Sequence, residues 1–161
     1  TVSSGSFSGT LTGTASMVKK GSGTLTLSGT NTFTGPVTLT GGIVSVSDFN
    51  ALGAATDSPE NLLFQGGTLK YTGSAATMAR DFTVGDGGAG FISSGTGPLV
   101  IGQDAQMDFT DGAAANRTLS LGGTTDIAVE NIFNPAKIDG ADVNNLFTKL
   151  VKQSFTIPII I

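Results

Sequence analysis

The side chains that could do chemistry are few, and most are carboxylates. Asp81 beside Arg80, followed by Asp86, Asp104, Asp108 and Asp111, is the densest run of them. A polysaccharide lyase or hydrolase would need such carboxylates clustered on one outer face, with a Lys or Arg to handle substrate charge. The spacing favours a plainer reading. Asp86 and Asp111 each precede a glycine, which is turn chemistry, and Asp104 and Asp108 suit a polar bend or an outer strand face. No site converges, so the sequence points away from an enzyme.

The other chemical motifs are weaker. Gly85-Asp86-Gly87-Gly88-Ala89-Gly90 has the glycines of a phosphate loop, but Phe91-Ile92 reads as strand where a helix and a Lys-Ser/Thr pair should follow. It also fails as a calcium nonapeptide, because Ile92 stands where the aspartate belongs. Asn116-Arg117-Thr118 satisfies the glycosylation triplet only formally. The chain has no His and no Cys, which removes the usual ligands for zinc, copper or iron–sulfur and the usual nucleophile–base pairs. No cofactor and no metal is expected. With eight Lys and Arg spread along the chain against twelve Asp and Glu, there is no basic patch for nucleic acid. No stretch is long and apolar enough to be read as a membrane span.

The elements that hold these residues are short strands. Among 161 residues, 24 are Gly and only 12% are charged, yet 39% are hydrophobic, so the chain can bury a core despite its Gly/Thr/Ser-rich look. Thr24-Leu25-Thr26-Leu27 and Val37-Thr38-Leu39-Thr40 alternate strictly. Apolar pairs two residues apart follow at Val44/Val46, Leu69/Tyr71, Phe82/Val84, Leu99/Ile101, Met107/Phe109, Leu119/Leu121 and Ile127/Val129. Each pair puts two side chains on one buried face. Tyr71 then points inward beside Leu69, and Asn31 and Phe33 read as strand-end and core residues.

Alternation alone also fits a sandwich or an antiparallel barrel. Internal repeats decide the matter. Gly41-Gly42-Ile43-Val44-Ser45-Val46 returns as Gly66-Gly67-Thr68-Leu69-Lys70-Tyr71, 25 residues later. A Gly-Thr-Leu-Thr-Leu theme at Gly23–Gly29 returns loosely at Arg117–Gly122, and Asn-Gly hairpin signals are absent between the strands. The fold class is therefore all-β: a single-stranded right-handed parallel β-helix of about six coils, each of 20–25 residues.

One segment is more specific. Met17-Val18-Lys19-Lys20-Gly21-Ser22-Gly23-Thr24-Leu25-Thr26-Leu27-Ser28-Gly29-Thr30-Asn31-Thr32-Phe33-Thr34-Gly35 resembles the passenger-associated repeat of bacterial autotransporters. Its marks are a valine-lysine start, a glycine-rich step, the Thr-Leu-Thr-Leu-Ser-Gly strand and an Asn-Thr-aromatic-Thr-Gly end. Gly41-Gly42, Asn50-Ala51-Leu52-Gly53 and Gly66–Gly73 continue the resemblance, which is close over residues 17–102 and loose over 103–130. Pro36 departs from it, harmlessly at a bend. The resemblance implies a right-handed β-helix at the bacterial cell surface or outside the cell, and it specifies fold far more than function.

The coils are expected over residues 1–135, with a C-terminal cap over 136–161 belonging to the same domain. Asp142–Lys152 places Val143, Leu146, Phe147, Leu150 and Val151 at helical spacing, read as a short capping helix. The last stretch is the most hydrophobic. Phe155, Ile157, Ile159 and Ile161 share one strand face, with Ile160 on the other and Pro158 suited to a sheet edge. This strand either packs along its own coils, adds to the edge of a neighbouring copy, or is a by-product of where the chain is cut. At the other end, Phe7 and Leu11 lie in a strand-like segment with no obvious cap. Phe7, Leu11, Phe155, Ile157, Pro158, Ile159, Ile160 and Ile161 are thus the candidate self-association residues, for head-to-tail contact between copies. The expected role is a non-enzymatic surface scaffold, stalk or fibre subunit. Cell-surface or matrix glycans are the further candidate partner, as ligand or substrate of the alternative module.

Overall fold

The computed structural model describes residues 1–54, 57–102, 105–110, 117–130 and 155–159, the last of these by backbone alone. The chain enters through β1 (Gly5–Phe7) and then winds through five turns. The first turn holds β2 (Met17–Lys19) and β3 (Thr24–Leu27). The second holds β4 (Val37–Leu39), β5 (Ile43–Val46) and a 3-10 turn, η1 (Phe49–Leu52). A second 3-10 turn, η2 (Pro59–Asn61), leads into the third, with β6 (Leu62–Phe64), β7 (Thr68–Tyr71) and β8 (Ala76–Met78). The fourth holds β9 (Phe82–Val84), β10 (Ala89–Ser93) and β11 (Leu99–Gly102). The fifth holds β12 (Met107–Phe109), β13 (Arg117–Gly123) and β14 (Ile127–Glu130). A last strand, β15 (Phe155–Ile159), follows.

Like strands of successive turns pair in parallel, building three sheets: β2-β4-β6-β9-β12, then β1-β3-β5-β7-β10-β13, then β8-β11-β14. This is a β-solenoid. The register explains why the repeats read as they do. Leu25, Val44, Leu69, Phe91 and Leu121 stand above one another in one inward column, and Phe7, Leu27, Val46 and Tyr71 in the next. Every alternate residue of a strand faces the axis, so one apolar column runs the length of the stack. Burial of each such Leu, Val or Phe contributes roughly 1.5–3 kcal/mol. Phe64, Phe82 and Phe91 meet in the middle, with ring centroids 4.9–5.8 Å apart.

The described residues form five turns where the repeat length predicts about six. The reason is coil expansion: the register offset is 20 residues from Met17 to Val37 but 25 from Val37 to Leu62 and 30 from Ala89 to Leu119. Part of an incomplete coil lies over the first turn, where Val2 pairs with Lys19 and β1 with β3. In the first two turns the third side is irregular backbone, tied across coils by Thr32 N–H to Leu11 O, Asn31 N–H to Asn50 O and Ala54 N–H to Phe33 O.

Glycine is required where coils turn closest. A Cβ on Gly95, in the bend between β10 and β11, would collide with the carbonyl oxygen of Gly73 one coil below. Gly123, at the end of β13, sits at φ +129° against the Ser93 carbonyl. The capping helix expected over Asp142–Lys152, and the boundary expected near residue 135, lie outside the described residues.

Candidate functional site: the ends of the coil stack

The N-terminal end is open and apolar. Phe7 and Leu11, with Met17, Leu25, Leu27 and Phe33, line a groove of about 390 Å³ over the first turn. Phe7 is half-buried against the core, whereas Leu11, 36% exposed, is the one large apolar side chain among the described residues that solvent reaches so freely.

The C-terminal end carries β15. Its backbone pairs antiparallel with β13, placing Phe155 opposite Leu121, Ile157 opposite Leu119, Pro158 opposite Thr118 and Ile159 opposite Arg117. The strand thus lies on its own chain, the first of the three arrangements open to it. A proline has no N–H to donate, which suits the outermost position in a sheet. Ile160 and Ile161 lie outside the described residues. Phe7 and Leu11 are brought together at one end of the stack; Phe155, Ile157, Pro158 and Ile159 share one strand at the opposite end of the same sheet.

The acidic residues scatter. Asp86 pairs with Arg117 at 2.8 Å, locking the turn before β10 to the start of β13. Asp108 accepts from the Phe109 N–H at 2.8 Å. Asp81 accepts from the Gln106 N–H at 2.7 Å, and Arg80 Nη2 donates to the Gly53 carbonyl at 2.5 Å. Burial pushes the Asp81 carboxyl above its ordinary range; the Gln106 N–H opposes this and nearby Asp57 adds to it. Burial lowers the Arg80 guanidinium, which Asp57 partly offsets. Asp86, Asp81 and Arg80 each join one coil to another, the work of a structural residue, whereas the Asp108 bond lies within its own strand. Asp104, Asp111 and Asn116 lie outside the described residues. Among the described residues no group of three or more Asp, Glu, His or Cys could hold a metal ion, and no helix is long and apolar enough to cross a membrane.

Two buried polar residues are held by backbone groups of neighbouring coils. Lys19 takes an inward strand position and is fully buried; its Nζ donates to the carbonyls of Lys20, Gly21 and Gly41 at 2.9, 3.0 and 3.1 Å. Asn31 spans three coils, its Oδ1 accepting from the Leu11 N–H at 2.7 Å and its Nδ2 donating to Ala51 O at 2.6 Å. Strict alternation, Met17 in and Val18 out, was the signal that puts Lys19 inside. Tyr71 is buried as expected, and stacks on Phe49 at 4.8 Å.

A family model for the passenger-associated transport repeat matches residues 17–46, the first turn and both strands of the second. The chain is also 37% identical, over 139 residues and 77% of its length, to an adhesin autotransporter, BmaC, of Brucella suis biovar 1 (strain 1330). It spans only about 4% of that relative's length. No solved structure matches the chain.

Proposed function

Because this chain belongs to the autotransporter passenger-repeat family, we propose that it is a non-enzymatic structural module that works as a length of rod at the bacterial surface or outside the cell. The observation that carries this reading is the uninterrupted stacking of the repeat itself. Its inward positions form largely apolar columns, and the side chains of Asp86, Arg117, Arg80 and Asp81 are taken up by coil-to-coil contacts. Right-handed winding goes with the reading, since parallel crossovers are right-handed in nearly all cases. The relative is an adhesin, and a rod that extends and displays is a suitable part of one.

The finer part of the reading is end-to-end contact between copies. What supports it is placement: the apolar groove with Phe7 and Leu11 at one end of the stack, and β15 at the other end of the same sheet. A second copy set against the groove would cover its apolar floor and continue the sheet, a head-to-tail contact that does not close on itself. Light scattering after size-exclusion chromatography, over a range of concentrations, tests this. The intact chain is expected to grow in mass with concentration, and the Leu11→Asp variant and a chain ending at Gln153 are expected to stay monomeric. Equal behaviour of all three would end the self-association reading. Discrete short rods in electron micrographs would leave the scaffold standing without the filament.

A further inference from the structure

A second concavity lies on the side of the rod, away from both ends. It occupies the corner between the third and first sheets, has a volume of about 590 Å³, and is walled by Arg80. That volume falls within the range of small-molecule sites, ~300–1,000 Å³. Coil expansion builds it. The second turn gains its extra residues between η1 and η2, which brings Asp57 to the corner. The fourth gains two of its five between β11 and β12, just before Gln106. In a solenoid, such insertions collect on one face, often the one that binds.

The lining has a distinct chemistry. Phe49 packs one ring face on Tyr71, 4.8 Å away and 17° from parallel, and stays half-exposed. Around it stand the exposed side chains of Asn50, Thr77 and Gln106 and the carboxylates of Asp57 and Asp81. Amides and a hydroxyl both donate and accept, as a polyol's hydroxyl groups do, and carboxylates accept from them. A flat apolar ring supplies contact area at low entropic cost. The two carboxylates outnumber the one guanidinium, which is already turned to the Gly53 carbonyl, so an anionic ligand is disfavoured here.

We propose that this corner is a binding site for a neutral saccharide, with Phe49 as its stacking platform and Asn50, Thr77, Gln106 and Asp57 as its hydroxyl-binding groups. The site is independent of the rod ends and needs no self-association. It gives a scaffold segment a lateral hold on a neutral glycan.

The experiment is a titration of the isotope-labelled intact chain, followed by amide chemical shifts. The probes are three neutral trisaccharides built of glucose, mannose or N-acetylglucosamine, each taken to ~10 mM, enough to saturate a millimolar site. Trigalacturonate and trilysine serve as charged comparisons. Saturable shifts are expected at the Asn50 and Gln106 side-chain amides and around Thr77 for at least one neutral probe, with affinity at least ~10-fold lower (about 1.4 kcal/mol) in Asn50→Ala and in Gln106→Ala. Both substitutions replace exposed side chains, so the coil stack persists, and unchanged spectra elsewhere verify that. Phe49→Ala should abolish the shifts. Absence of a saturable response to all three neutral probes, unchanged affinity in the Asn50 and Gln106 variants, or tighter binding of either charged probe at the corner would overturn the proposal.

Discussion

Lys19 shows how a charged residue becomes part of a core. Three carbonyls collect around its ammonium, while burial pulls its pKa below the ordinary lysine value. Lys19→Met keeps the apolar stem but strips those carbonyls of their donor. A loss of about 2–3 kcal/mol is expected in urea unfolding, from charged hydrogen bonds removed inside the protein; a loss below ~0.5 kcal/mol would show that water replaces the donor. Asp81 gives a pH signature instead. Its carboxyl is raised in the folded chain, so the folded state keeps this proton to higher pH than the unfolded state does. Its contribution is fully present below the unfolded value near 3.8 and fades as pH rises through the folded value. Unfolding across this window should show a falling slope in the wild type and a flatter one in Asp81→Asn, whose amide oxygen can still accept from Gln106. Neither role is visible in composition. Lys19 was legible as inward by alternation, but the carbonyls that receive it belong to a bend and to Gly41, one coil on.

At the scale of elements, coil spacing sets the rules. Strands about 4.8 Å apart leave no room for side chains where the backbone bends sharply over the coil beneath. Gly95→Ala places its Cβ against the Gly73 carbonyl, forcing the two bends apart and straining the β7–β10 and β8–β11 pairings beside them. A drop of roughly 1–3 kcal/mol is expected, as for overpacking in a tight interior, read from thermal or urea melts. Phe82→Ala works from the other side, opening a cavity among Phe64 and Phe91 and costing about 3–5 kcal/mol. The strand segments themselves were readable from period-two patterning and from the 25-residue echo, which is the register offset between Ile43 and Thr68. The expansion to five longer turns was not, because inserted bends such as Pro59–Asn61 carry no periodic signal.

Across the whole molecule, stability is expected to be graded. In a solenoid each coil touches only its neighbours, so the global stability is a sum of local terms. The third and fourth turns hold the phenylalanine cluster and have coils on both sides, whereas β1 has a partner on one side only and overlies the open groove. Hydrogen exchange should find the amides of β7 and β10 slowest and those of β1 fastest, by orders of magnitude; uniform protection would mean that the rod unfolds as one unit.

The sequence by itself determined the solenoid. Alternation of Thr with Leu or Val assigns each residue a face, glycines mark the bends, and one recurring offset obliges like strands to stack, because no single coil can bury its own apolar face. The passenger repeat was legible at residues 17–35, which fall within the 17–46 that the family model matches. Tertiary structure alone decided the rest. It set β15 antiparallel on β13, an arrangement that depends on which sheet edge is left open rather than on the strand's own pattern. It also drew Phe49, Asp57, Asp81 and Gln106 to one corner, although they come from three successive turns and two insertions. Local pattern fixes which face a residue takes, but only the number of residues per coil fixes which neighbours it meets.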